Sequence, residues 1–261
     1  MTGQAKYERF NIHHRIQHVL LALTFTALVF TGFPLKFAEL PISRVLARIL
    51  GGIEGAGLIH RAAAVILILT GVYHVVYLLL CAAKRNLSWE MMPAKKDFLD
   101  VFDNFKYFFG MRAKPPLFER YNYIDKFEYW AVIWGTAVMA ITGLVLWFPV
   151  LGARYLPVWA LDISFILHDW EALLAAVAIF MWHLYNVHLT PEVFPMSYVW
   201  LDGTISVEDL KHHHTLEYEK LVKAGVIEPV ADEEPSQVTR ASADTSPAVS
   251  ANQGKGKGDL R

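Results

Sequence analysis

Apolar residues gather along the chain in four long runs. Val19–Leu35, Ala62–Ala83 and Tyr129–Gly152 hold no charged residue at all. The fourth, Ile163–Leu189, carries Asp169 and Glu171 near its start but is wholly apolar over Ala172–Met181. Runs of this length match the roughly 20 residues a helix needs to cross a hydrocarbon core about 30 Å thick, where only helices or closed barrels satisfy their backbone groups. The pattern therefore predicts an all-α integral membrane protein built as a four-helix bundle. After the fourth run, Pro191-Glu192-Val193-Phe194-Pro195 breaks the helix at the membrane surface, and Val207–Ala224 reads as one short amphipathic helix. From about Asp232 the chain turns Ser/Ala/Pro/Gly-rich, the composition of a disordered tail. Three regions result: a membrane domain over 1–190, an extension over 191–231 and a tail over 232–261.

Charge gives the bundle an orientation. Lys6, Arg9 and Arg15 precede the first run, and Lys84, Arg85, Lys95, Lys96, Lys106, Arg112, Lys114 and Arg120 crowd the loop after the second. The opposite loops hold few, Arg44 and Arg48 within one and Arg154 within the other. The positive-inside rule then places both termini and the long loop in the cytoplasm. With no small-residue cleavage site after it, the first run reads as a retained helix. A formal net charge of −1 offers no basic surface for nucleic acid. A single cysteine, Cys81, excludes an internal disulfide, a Cys-ligated iron–sulfur cluster and the C-x-x-C-H attachment of a c-type haem.

Histidines inside the apolar runs carry the candidate chemistry. His60 and His74 lie 14 residues apart, His168 and His183 lie 15 apart, and His18 opens the first run. Such spacings return a helix to nearly the same face after about 21 to 22 Å, stacking imidazoles at two depths of a bilayer. Intramembrane imidazole is costly and marks function. Histidines at two depths suit axial ligation of two b-type haems, held noncovalently. His60 and His168 fall at the outer level; His18, His74 and His183 fall at the inner one. A faint internal repeat supports two helix pairs: Thr31-Gly32-Phe33-Pro34 answers Thr142-Gly143 with Trp147-Phe148-Pro149, and Leu58-Ile59-His60 answers Ile166-Leu167-His168. Glycine there allows a macrocycle or a second helix to approach closely. By the repeat alone, the inner pair would be His74–His183.

Several motifs resemble a known family when read in order. They are Arg9-Phe10 and Arg15-Ile16-Gln17-His18 at the first helix, Thr31-Gly32 leaving it, and His60 on the second. Tyr129-Trp130 and Thr142-Gly143 follow on the third, then His168 and His183-Leu184-Tyr185 on the fourth. Over about residues 8–190 the chain resembles the four-helix dihaem cytochrome b subunits of nickel–iron hydrogenases, respiratory formate dehydrogenases and thiosulfate reductases. The resemblance implies haem-iron ligands His18, His60, His168 and His183, with His60–His168 as the outer pair and His18–His183 as the inner. The chain departs from the family at His74, where an apolar residue is usual, and in the one-residue longer spacing within the fourth helix. His74 thus stands as an alternative inner ligand, or as a ligand to a third haem. The segment Pro191–Ser206, with Phe194-Pro195 and Trp200-Leu201-Asp202-Gly203, resembles a subset of these cytochromes associated with multihaem c-type partners.

The function so implied is electron transfer between a quinone pool (menaquinone or ubiquinone) and a periplasmic multihaem cytochrome c or iron–sulfur subunit. The chain would be a quinone-linked electron-transfer subunit of a hetero-oligomeric complex in the bacterial cytoplasmic membrane. Arg15 and Arg61 flank two of the histidines and are shaped to meet haem propionates or to snorkel at the membrane edge. Tyr185, Asn186 and His188 are candidate quinone-lining residues at the inner level. Two other classes stay open: a membrane transporter whose histidines bind a metal ion, and a structural anchor for a peripheral enzyme.

Overall fold

The computed structural model describes residues 5–191 and 193–230. Residues 1–228 form one compact unit; the tail expected at 232–261 lies outside the described residues. Four helices are long and apolar enough to cross a membrane. They are α1 (Ile12–Lys36), α3 (Gly52–Ala83), α5 (Tyr123–Trp147) and a fourth that begins as α7 (Val158–Val177) and continues to Leu189. Each starts before its apolar run does. Asn11 caps α1 by accepting from the His14 amide, and Asn122 and Asp125 form a reciprocal capping box at the start of α5. Short helices, unmarked in the hydrophobic pattern, fill the connections: α2 (Pro41–Ile49), α4 (Lys95–Phe108) and α6 (Pro149–Tyr155).

The spans pack as two hairpins, α1 against α3 and α5 against α7. The α1–α3 seam explains itself from the residues. Gln17, Thr24 and Thr31 are buried on α1, and Ala56, Ala63 and Thr70 on α3, each set spaced by seven. A seven-residue repeat of small side chains lets two membrane helices approach at a shallow left-handed crossing. The threonine hydroxyls donate to carbonyls one turn back: Thr24 to Leu20 at 2.7 Å, Thr31 to Ala27 at 2.7 Å and Thr70 to Ile66 at 2.8 Å. Each of these threonine hydroxyl protons is thereby paired within its own helix.

Both ends of the bundle domain meet on one side. Strand β1 (Lys6–Glu8) pairs antiparallel with β2 (Thr204–Ser206), Tyr7 opposite Ile205. This ribbon is a small departure from an all-α chain, and it ties the approach to α1 to the extension after the fourth span. The extension holds α8 (Val199–Asp202), α9 (Val207–His213) and α10 (Thr215–Lys223). The single amphipathic helix expected over Val207–Ala224 is therefore two, broken where His214 leaves helical geometry and places Nδ1 2.8 Å from the Glu119 carbonyl. Buried Arg9 meets Glu217 at 2.9 Å, and Arg120 meets the same carboxylate at 3.3 Å, while each guanidinium donates to the other residue's carbonyl. Lys126 on α5 pairs with Asp97 on α4 at 2.9 Å. N-terminus, long loop and extension thus form one polar cap.

Candidate functional site

Imidazoles from opposite hairpins face one another at two levels. On the side away from the ribbon, His60 of α3 and His168 of α7 lie with ring centroids 6.4 Å apart. Each ring is seated by a Thr-Gly pair on the neighbouring helix. His60 Nδ1 is 2.9 Å from the Thr31 hydroxyl and His168 Nδ1 is 3.0 Å from the Thr142 hydroxyl. Both hydroxyls spend their own proton on a helix carbonyl, Ala27 and Val138, each at 2.7 Å. They therefore accept, which fixes the proton on Nδ1 and leaves the lone pair on Nε2. A Cβ built on Gly32 would stand 3.3 Å from His60 Cε1, and one on Gly143 3.1 Å from His168 Cε1. Both glycines are there to admit an imidazole edge, so the repeat visible in the sequence is a repeated histidine seat.

On the ribbon side, His18 of α1 and His183 of the fourth span also lie with centroids 6.4 Å apart. The longer spacing within the fourth span is resolved by its backbone. From Ala178 to His183, and again from Tyr185 to Leu189, the helix widens to π geometry, with Leu184 N–H bonding to Ile179 C=O and Thr190 N–H to Tyr185 C=O. An i→i−5 turn accommodates an extra residue and is found chiefly at functional sites. Here it brings His183 back to the face that carries His168. Its Nδ1 donates to Glu128 Oε2 of α5 at 2.7 Å.

His74 is differently engaged. Its Nδ1 is 2.9 Å from Gln17 Oε1 and its Nε2 is 2.9 Å from the Tyr129 hydroxyl. With both nitrogens spent, and its ring packed edge-on against Tyr129, it cross-links α1, α3 and α5. Arg61 lies over the Trp147 ring, 5.9 Å from guanidinium carbon to centroid. Beside the ribbon-side pair, Arg15 Nε, His18 Nδ1, Asn186 Nδ2 and His188 Nδ1 are buried with no hydrogen-bond partner among the described residues, as is Trp200 Nε1 of α8. Trp200 packs on both His18 (5.5 Å) and His188 (6.5 Å). Tyr185, by contrast, is half exposed on the bundle's outer surface.

Glu128 and Trp200 were not foreseen from the sequence. Glu128 stands one residue before the charge-free run that begins at Tyr129, where a carboxylate passes for an interfacial charge. Trp200 lies in the extension, and its Trp-Leu-Asp-Gly motif was the available signal.

The two pairs fit a bis-imidazole haem. Two metal–nitrogen bonds of about 2 Å and two imidazole radii of about 1.1 Å put the centroids about 6.2 Å apart, against 6.4 Å at both levels. The buried, partnerless donors around the ribbon-side pair fit the anionic edge of such a group, or a carbonyl ligand beside it. Among the described residues no group of three or more His, Cys, Asp or Glu side chains is arranged to hold a bare metal ion. Nothing there favours the metal-transport reading. Compared with known proteins, residues 9–195 match the family described as prokaryotic cytochrome b561. No curated protein matches the chain.

Proposed function

The chain belongs to the prokaryotic cytochrome b561 family, and from that membership we propose that it carries electrons across the membrane through two haem b groups. The donor and acceptor are the quinone pool and a periplasmic redox subunit. Family and spans together make it a multi-pass protein of the bacterial cytoplasmic membrane with a cytochrome's electron-transfer role. One observation carries the finer reading: two facing histidine pairs, with equal centroid separation, set 15 residues or roughly 20 Å apart along one helix. His60 and His168 are the ligands of the periplasmic-side haem, and His18 and His183 those of the cytoplasmic-side one. His74 is a structural cross-link.

When bound, a low-spin bis-imidazole haem supplies a one-electron carrier at each level. The side chains do the rest. Thr31 and Thr142 hold His60 and His168 in the tautomer that offers Nε2, and Glu128 orients His183. Arg15 and Trp200 bring donors to the cytoplasmic-side pair, where Asn186 and His188 would hydrogen-bond a quinone head group. Tyr185 stands at the lipid entrance to that site. On the opposite side Lys36 is paired with Asp169 at 2.6 Å, which leaves a charge-balanced surface beside the His60–His168 level for a partner subunit. The polar cap lies in the cytoplasm, with both termini, in keeping with the basic loop. Residues 1–190 are the haem-bearing domain, and 191–231 are a cytoplasmic extension.

The test is haem type and stoichiometry on purified full chain, by pyridine haemochrome spectrum against independently quantified protein. Two b haems per chain are expected, each lost singly in His60→Ala and His18→Ala. No haem, in intact protein made with haem available, would overturn the reading. Three would return His74 to the ligand set.

A further inference from the structure

The four histidines are paired alike but not seated alike. His60 and His168 each rest on a neutral threonine hydroxyl whose proton is already committed to a helix carbonyl. His183 rests on a carboxylate. Its Nδ1–H donates to Glu128 Oε2 at 2.7 Å, the Glu128 side chain is 18% exposed, and Oε1 is buried with no hydrogen-bond partner among the described residues. Asp125, one turn earlier on α5, accepts from the Asn122 amide at the helix cap. Lys126 is held by Asp97. Lys126, the basic group nearest in sequence, is thus committed elsewhere, and among the described residues His183 is the partner recorded for Glu128. His18, across the pair, has Nδ1 buried and without a partner among the described residues. The anionic influence enters this level through one ring.

We propose that Glu128 is a positioning residue that makes the His18–His183 site the lower-potential of the two haem sites, and so sets the potential step between the two levels. The inference rests on the reading that both pairs ligate haem. A carboxylate hydrogen-bonded to Nδ1–H shifts charge onto the imidazole and makes Nε2 a stronger donor. Oxidised iron carries one more positive charge than reduced iron, so a stronger donor and a nearby anion both favour the oxidised state. Around Glu128 the medium is protein and lipid, which screens that preference far less than water does. A threonine hydroxyl supplies the same geometry without the charge. Outer-shell hydrogen bonding is one of the named means by which a protein tunes haem, and here the two levels differ in it by one formal charge. Electrons arriving at the cytoplasmic-side level would then pass downhill to the periplasmic-side one.

The experiment is a potentiometric titration of the holo full chain, followed optically, in wild type, Glu128→Gln and Thr142→Val. Gln keeps an acceptor oxygen at the same reach and removes only the charge. The expected result is two b components in wild type, of which the lower rises in Glu128→Gln while the higher stays. A tenfold shift toward the reduced form reads as 59 mV for a one-electron couple. Thr142→Val identifies the other component by perturbing the higher one instead. An unmoved or lowered lower component, or movement of the higher one in Glu128→Gln, would overturn the proposal. A role confined to bridging α5 and α7 would change thermal stability and leave both potentials in place. Should Glu128→Gln shed one haem, wild-type ferric protein decides by its near-infrared charge-transfer bands. Two bands of different energy, one displaced as for an imidazole of anionic character, support the proposal, and coincident bands overturn it. Absence of haem from the wild type would instead sink the functional reading on which the proposal stands, and it is seen before any variant is made.

Discussion

Replacing Thr142 by valine tests the histidine seat with the least disturbance the site allows. Valine keeps the branched shape on a helix where Thr142 is 5% exposed, so packing against α7 is preserved. What is lost is the acceptor 3.0 Å from His168 Nδ1. The Nδ1–H is then left buried and unpaired, at a cost of about 1–3 kcal/mol. The other consequence is free rotation of a ring that the hydroxyl had held. If the whole cost falls on the haem-bound state, retention at that level weakens about 5- to 150-fold, since 1.4 kcal/mol is tenfold. That range agrees with the 10–100-fold usually lost when an outer partner of a metal ligand is removed. The assay is the rate of haem transfer from purified protein to a high-affinity acceptor such as apomyoglobin, read optically in wild type, Thr142→Val and Thr142→Ser. Valine should release one of two haems faster while the other stays at its wild-type rate. Serine, which keeps the hydroxyl, should restore retention. Thr31→Val should speed release of the same haem, since it leaves the facing His60 Nδ1–H unpaired. Equal release from wild type and Thr142→Val, in protein with two haems, would refute the seat as a functional device.

Four further outcomes are expected. His74→Phe should keep two haems and lose stability through the orphaned Gln17 and Tyr129 partners, measured by haemochrome stoichiometry and thermal melting; loss of a haem would make His74 a ligand. Gly143→Val should lose the periplasmic-side haem selectively, since even a Cβ there meets His168 Cε1 at 3.1 Å, and equal occupancy at both levels would contradict it. Deleting Ile179 should remove the wide turn, return the fourth span to the 14-residue spacing and preserve both haems, whereas a second inserted residue should cost the His183 level. Burial holds the His214 imidazole down at about 4, with Arg9 opposing protonation beside it and the Glu119 carbonyl acting the other way. Between pH 4 and 6.5 the unfolded cap binds the extra proton, so this contribution is complete above 6.5 and is lost as pH falls toward 4, about 3 kcal/mol in all. Protease sensitivity of the extension should rise across that window in wild type and be flat in His214→Gln.

How much of this was legible in the sequence depends on the range of the interaction that fixes each feature. The spans were readable because lipid imposes its demand residue by residue. Both histidine levels were readable because helical spacing converts directly into depth. Within the ribbon-side level, depth alone does not distinguish His18 from His74; only the Arg15-x-x-His18 motif favoured His18. In the fold both His74 nitrogens are engaged, by Gln17 and Tyr129 from two other helices. The π turns were hidden for a related reason: one extra residue looks like a mismatch in spacing until the backbone is seen to absorb it. β1 and β2 are three residues each, too short for alternation to show, and their pairing joins chain segments on either side of the whole bundle. The break at His214 interrupts a continuous amphipathic pattern and is made by a carbonyl 95 residues away.

The Thr-Gly repeat shows how a local signal can be right in place and wrong in purpose. Read as helix packing, the two glycines belong to an interface; placed in the fold, each meets an imidazole, with its threonine one residue before holding the ring's proton. A helix that must hold a histidine of its neighbour needs an acceptor that does not itself require solvent, and a threonine whose hydroxyl is bonded to its own helix provides one. Glycine beside it removes the only atom in the way. The same solution occurs on α1 for His60 and on α5 for His168, so the two hairpins approach the His60–His168 level as near-equivalents. They do not approach the other level so. There α5 offers Glu128 and α1 offers a histidine of its own, and α3, whose His74 falls at the equivalent depth, has turned that ring to hydrogen bonding. The repeat is kept where two neutral seats are wanted and broken where one seat carries a charge. The asymmetry between the two histidine levels is thus located in a few residues of an otherwise repeated frame.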